Sequence, residues 1–458
     1  MESSHPTGKR TVLFVTTLPA FTIPFMGSSI YIALPTIAEE FSMTAALLGW
    51  VATGYLLTMG MFLVPIGRLA DILGRRRFFL GGVFLYTLSS LLTALSNSAA
   101  SLIAFRALQG IGAAMVFGTS LAILTSVFPA DERGKALGIN VAAVYSGLSL
   151  GPFLGGLLTQ HLGWRSIFWL NIPLGLVVIG FAFWKLKEEW AEARGERFDV
   201  MGSILYCLSL VAMIYGISLL PGSTGILLGG TGLLGLSGFI GYELRAKSPI
   251  FDLSLFRTNR VFACSNLAAL VNYSATFAVS FLLSLYLQYT KGLGPQKAGM
   301  ILISQPLVQA LVSPFAGRLS DRIEPRIVAS IGMALTSIGL FLLTSLNENT
   351  TMAFIIACLI LLGFGFALFS SPNVNAVMSS IEKRSYGVAS GTLGTMRVVG
   401  MMLSMGLVMV IFAVYIGKAQ IRPEHYPLFL KSSKAAFTIC AFLCLAGLFA
   451  SMVRGKVR

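Results

Sequence analysis

The feature that most constrains this chain is the recurrence, from end to end, of apolar stretches of about 18 residues or more. At 1.5 Å per residue, such a stretch spans the roughly 30 Å of bilayer hydrocarbon as a helix. The chain reads as an integral membrane protein. Charged residues are 11% of its 458 residues and hydrophobic ones 55%, whereas a soluble domain has about a quarter charged. Segments such as "ILLGGTGLLGLSGFIGY" lack the alternation of barrel strands, so the spans are expected to be helical. The first run, holding Pro19 and Pro24, is long and lacks a small-residue cleavage site, which predicts a retained span. The five cysteines fall inside apolar runs and read as buried thiols, not as metal ligands or disulfides.

Bounding each apolar run by charge or turn clusters predicts fourteen spans. They lie near residues 12–37, 46–66, 78–96, 99–127, 136–160, 166–185, 199–220, 224–242, 259–290, 296–316, 327–346, 351–380, 388–416 and 435–453. With the N-terminus inside, 24 of the 33 lysines and arginines fall in cytoplasmic segments, 7 in external loops and 2 within spans. The positive-inside rule thus predicts cytoplasmic termini. The net charge of +15 then belongs to membrane topology and implies no nucleic-acid partner.

"GRLADILGRRR", residues 67–77, follows the second span; "GRLSDRIEPR", residues 317–326, follows the tenth. A repeat at that offset implies two homologous six-helix halves with two helices inserted between them. The expected units are an N-terminal bundle over 1–186, the inserted pair over 187–245 and a C-terminal bundle over 246–458. The repeated motif suits a moving joint: Gly67, Gly74 and Gly317 permit close approach, Asp71 and Asp321 can take basic partners, and Arg68, Arg75 and Arg318 can hold the loops at anionic headgroups. A static topological anchor is the alternative.

At these residues the chain resembles the major facilitator superfamily, in particular its fourteen-helix drug:proton antiporter branch. "GRLADILGRRR" is similar to the family's signature loop and "RALQGIGAAM" (106–115) to its fourth-helix motif. "GLSLGPFLGG" (147–156) resembles the fifth-helix antiporter motif, and "WRSIFWLNIPLG" (164–175) a stretch typical of the branch. The resemblance implies alternating access at a plasma membrane, export in exchange for protons, no cofactor and a monomeric protein whose partners are a small-molecule substrate, protons and lipid. It also assigns Arg106 a part in proton transfer.

The residues themselves leave alternatives open. Arg106 lies inside the fourth span, where an unpaired guanidinium is costly, so it faces protein or water, or snorkels to the rim. Gly147, Gly151 and Gly155 line one helix face while Pro152 bends it, and Gly156 completes a double glycine. Arg397 is the other charge within a span, and no carboxylate offsets the two arginines. Members of the branch commonly carry a first-helix aspartate; aligning on "ALP" at 33–35 puts Met26 there. Glu39, Glu40 or Asp71 could carry protons instead, or the cargo could itself be anionic. Phe25, Met26, Tyr31, Asn266, Asn272, Tyr273, Gln305, Gln309, Asn373 and Asn375 are candidates for a weakly polar cavity suited to amphipathic molecules, or for bonds between helices. No catalytic cluster, metal-ligand set or phosphate loop is present, so a transporter is expected rather than an enzyme or a primary pump. A receptor on a transporter fold is the remaining class.

Overall fold

The computed structural model describes residues 8–129, 132–246, 248–251, 253–382, 386–417 and 419–455. Among these residues there is no strand, and fourteen helices are long and apolar enough to cross a membrane. They are α1 Lys9–Glu40, α2 Ala45–Leu73, α3 Arg75–Ala94, α4 Ala99–Val127, α5 Arg133–Leu162, α6 Arg165–Lys185, α7 Val200–Ser218, α8 Ser223–Glu243, α9 Arg260–Thr290, α10 Pro295–Arg322, α11 Pro325–Leu343, α12 Met352–Ser379, α13 Val388–Tyr415 and α14 Pro423–Val453. An even number returns α14 to the face where α1 begins; this is called the basic face below.

Several helices outrun their apolar cores. α14 begins at Pro423 instead of near residue 435 because Lys431 and Lys434 sit exposed on its first turns, where a charge costs little. Thr44, Ser98 and Thr351 start α2, α4 and α12 by accepting backbone N–H groups, with Ser98 and Ser101 forming a reciprocal capping box. Proline interrupts the backbone ladder inside α1 (Pro19, Pro24, Pro35), α2 (Pro65), α5 (Pro152), α6 (Pro173) and α12 (Pro372). Each removes a donor and favours a bend. α9 ends in a π-helical turn, Tyr286–Thr290.

Within the first six helices α1 packs on α5, α2 on α4, and α3 on α4 and α6; within the last six α11 packs on α12 and α14, α10 on α12, and α9 on α13 and α14. Contacts between the two sets run through α5 with α10, α2 with α13, and α1 with α9. The inserted α7 and α8 pack on each other, and α7 also touches α2 and α13. Tyr206 Oη donates to Gly60 O at 3.1 Å and Cys207 Sγ to Met61 O at 3.3 Å. Large apolar side chains stay exposed on the outer helices, among them Phe183, Trp184, Leu227, Leu234 and Phe315. Such a surface would drive aggregation in water and matches hydrocarbon. The five cysteines are free thiols, three of them buried.

Candidate substrate pathway

The α2–α3 junction on the basic face is a charge lattice. Gly74 stands at φ +124°, a backbone conformation that side chains resist, and a β-carbon there would also strike the Glu189 carboxylate. Arg75 follows it. Its guanidinium is buried and donates to Asp71 Oδ1 at 2.7 Å, to Ser126 Oγ at 2.9 Å, and to both Glu192 oxygens at 2.7 and 3.0 Å. Arg68 pairs with Glu196, and Arg76 N and the Arg77 side chain engage Glu189. Backbone bonds add Arg75 N to Trp190 O and Ala193 N to Asp71 O. The α6–α7 connection is thus a strap bound under the signature loop. Its charge run "KEEWAEARGER" was the available signal, and sequence reasoning did not use it. Arg75 holds the Glu192 carboxyl below the usual carboxylate range.

The second copy is built differently. Asn375 Nδ2 of α12 donates to Ser320 Oγ at 3.0 Å and to Asp321 Oδ1 at 3.1 Å, and nothing crowds Gly317. Asn375 therefore serves the α10–α11 junction. Asn373 is likewise committed, donating to Ser265 O at 3.1 Å and accepting from Arg454 at 3.1 Å. Arg454, just past α14, is fully buried.

Arg106 does not snorkel. It is 1% exposed, donates through Nε to Val51 O at 3.3 Å and through Nη1 to Gln109 Oε1, and lies 4.3 Å above the Tyr55 ring. Gln109 passes the chain on to Ser90 at 2.7 Å. α2, α3 and α4 are pinned together by a cation that has no carboxylate against it, satisfied instead by a carbonyl, an amide and an aromatic face. The partners of Arg106 come from α2 and α4, whereas Arg397 faces Tyr273 of α9.

The α5 glycines make two interfaces. β-carbons at Gly147 and Gly155 would lie 2.3 Å from Phe21 O and 2.6 Å from Ser29 Cβ on α1, and one at Gly151 would overlap Ser28 Oγ. Ser29 Oγ exploits the approach, donating to Gly151 O at 2.9 Å. Gly156 faces the other way, its β-carbon position 2.5 Å from Pro295 O of α10, while the same position on Gly299 lies 2.1 Å from Pro152 O. On α1, Phe25 and Met26 are fully buried, the Phe25 backbone lying against Gly147 and Gly151.

Away from the basic face, the two sets of helices are bound together. Ser284 donates to Tyr31 O at 2.7 Å, Gln288 to Ile32 O at 3.0 Å, Gln296 N to Gln160 Oε1 at 3.1 Å and Ala45 N to Ala419 O at 3.2 Å. Glu40 also lies at this end, gripped by Arg165 at 2.7 and 2.8 Å and by Trp164 Nε1 at 2.6 Å; Glu39 is exposed next to it.

Midway through the array four elements present polar groups to one another. Tyr145 Oη of α5 lies 3.4 Å from Ser370 Oγ of α12, and Tyr273 of α9 lies beside both. The Arg397 guanidinium of α13 sits 5.7 Å from the Tyr273 ring, which packs edge-on against Phe366. Arg397 Nε is buried without a partner. Asn272, fully buried, has neither amide atom bonded; Asn266 Oδ1 and Gln305 Oε1 are also unpartnered, and Gln309 is buried on the same face side of α10 as Ser313. Of the expected cavity residues, Tyr273 and Arg397 come together here; Tyr145 and Ser370 were missed, since a lone hydroxyl on a helix carries no pattern.

A family model described as Major Facilitator Superfamily matches residues 17–294 and again residues 265–456. The chain belongs to this superfamily. This facilitator is a transporter and a multi-pass membrane protein, not an enzyme. It is 31% identical over 439 residues to riboflavin transporter RibZ of Clostridioides difficile, with 95% of each chain covered. It is 34% identical over 395 residues to multidrug resistance protein Stp of Mycobacterium tuberculosis, covering 85% of this chain and 73% of Stp. Its fold superposes with a TM-score of 0.67 on a bacterial homologue of the human lysosomal transporter Spinster, solved inward-facing and unoccupied, at 16% identity over 99% of this chain and 98% of that one.

Proposed function

We propose that this facilitator exports amphipathic aromatic molecules, neutral or anionic, across the plasma membrane in exchange for protons. The observation that carries the reading is Arg397. A guanidinium at mid-depth, beside Tyr273 and with a buried nitrogen unpartnered, offers a donor to a cargo oxygen or negative charge, while Tyr145, Tyr273 and Phe366 offer faces for stacking. Helices with no carboxylate at that depth give a cationic drug no counter-charge. A relative named for riboflavin transport supports a planar, aromatic cargo, and one named for multidrug resistance supports export.

The bundles over 1–186 and 246–458 rock about this cluster, with the basic face cytoplasmic. The bonds between them described above gather at the other face, which fits a state open to the cytoplasm. Asp71 and Asp321 with their arginines form the cytoplasmic joint, and the Gly156–Pro295 and Gly299–Pro152 approaches seal the outer side. Coupling runs through the Arg106 node, which ties α4 to α2 and α3 next to the α1–α5 glycine interface. Met26 occupies the place of the branch's first-helix acid and Arg165 holds Glu40 in its charged form, so a cargo that itself gains or loses a proton, or the exposed Glu39, completes the exchange. The test is gradient-driven movement of riboflavin and of an anionic dye in everted vesicles. Abolition by a protonophore and by Arg397→Gln is the expected result; flux indifferent to both would overturn the reading.

A further inference from the structure

Two carboxylates meet at the foot of the inserted helices. Asp199 caps α7, its Oδ1 accepting from Gly202 N at 2.9 Å and from the Tyr242 hydroxyl at 3.1 Å. Glu243 closes α8, is 3% exposed, accepts from Ile250 N at 3.4 Å through Oε1, and is also met by the Phe251 backbone. Both converge on Gly202, where a β-carbon would lie 2.6 Å from Asp199 Oδ2 and 2.9 Å from Glu243 Oε1. Oxygens that near one point are no more than about 5.5 Å apart, a separation at which two negative charges in a poorly solvated site repel strongly.

Two oxygens remain, Asp199 Oδ2 and Glu243 Oε2, each buried and accepting no hydrogen bond. Among the described residues the titratable side chain bonded to the pair is Tyr242, whose hydroxyl is already spent on Oδ1. Among the described residues no lysine, arginine or histidine forms an ion pair with either acid. Buried acceptors left this way call for a donor.

We propose that Asp199 and Glu243 form a proton-binding site, in which Glu243 carries one proton beside the Asp199 carboxylate. One proton removes the repulsion between the two carboxylates and leaves the pair with a single negative charge. The site stands independently of the cargo. Its position gives it reach: α7 is bonded to α2 through Tyr206 and Cys207, and Ile217 packs where Gly406 of α13 has no side chain. Occupancy therefore bears on a hairpin that touches both bundles.

Infrared spectroscopy of the full chain in lipid vesicles tests it. Wild type is expected to keep a protonated-carboxyl C=O band at neutral pH, where ordinary carboxyls have ionised. Glu243→Gln should remove that band with the helical amide band unchanged. Asp199→Asn, which removes the repelling charge and supplies an amide donor, should lower the pH midpoint of the band by about one unit or more. Absence of the band in wild type, its persistence in both variants, or its loss when sodium replaces choline would overturn the proposal, the last in favour of an alkali cation.

Discussion

Arg75 and Glu192 face each other in a two-pronged ion pair, 2.7 and 3.0 Å, that fastens the α6–α7 strap beneath the α2–α3 junction. The arginine is buried and the glutamate largely exposed, so the pair is worth about 0.5–1 kcal/mol on its own. Glu192→Gln should thus cost little global stability but free residues 186–198 to a protease. Arg75→Ala also releases Asp71 and Ser126 and should be several-fold worse in the same digestion.

The same pair sets a pH dependence. Glu192 titrates below its ordinary value of 4.5 because Arg75 holds the charged form. A depressed carboxyl contributes stability that is fully present above the unfolded value and is lost as pH falls through the folded one. Protease resistance of the strap should therefore be flat from neutral pH down to 4.5 and fall only below it; a fall centred between pH 6 and 7, the range of a free histidine, would contradict the pairing.

Gly156→Ala places a methyl 2.5 Å from Pro295 O, and overpacking of that kind costs about 1–3 kcal/mol. On the proposed rocking of the two bundles, opening the outer face relieves this clash, so labelling of a cysteine at the outer end of α5 should rise about tenfold. Gly138→Ala, with open space around it, is the matched control and should leave labelling unchanged.

Arg106→Ala strips donors from Val51 O and Gln109 Oε1 in a dry site and should cost about 2–3 kcal/mol, read as a lower unfolding temperature in detergent. Arg106→Lys restores the charge but cannot both lie on Tyr55 and reach two acceptors, so it should fold better than Arg106→Ala while remaining poor in coupled transport.

The array of spans was readable because the bilayer forces every backbone group to bond within its own helix, so length and apolarity suffice. The signature loop was readable because it repeats. Partnerships were not. Nothing in "KEEWAEARGER" says which arginines it meets, and Asn375 looks like a cavity residue until α12 brings it to Asp321. Asp199 and Glu243 mark the two ends of an uncharged stretch in the sequence, and only the α7–α8 hairpin makes them neighbours. Tyr145 and Ser370 are separated by 225 positions and belong to different bundles, so their meeting is a property of the packing alone.

The most direct measurement is transport in everted vesicles under an imposed proton gradient, comparing riboflavin, an anionic aromatic dye and ethidium in wild type and Arg397→Gln. The account predicts movement of the first two, collapse on adding a protonophore, at least a tenfold loss in Arg397→Gln by removal of a charge-assisted bond, and little ethidium flux. Ethidium moved in preference, at a rate Arg397→Gln does not change, would contradict it.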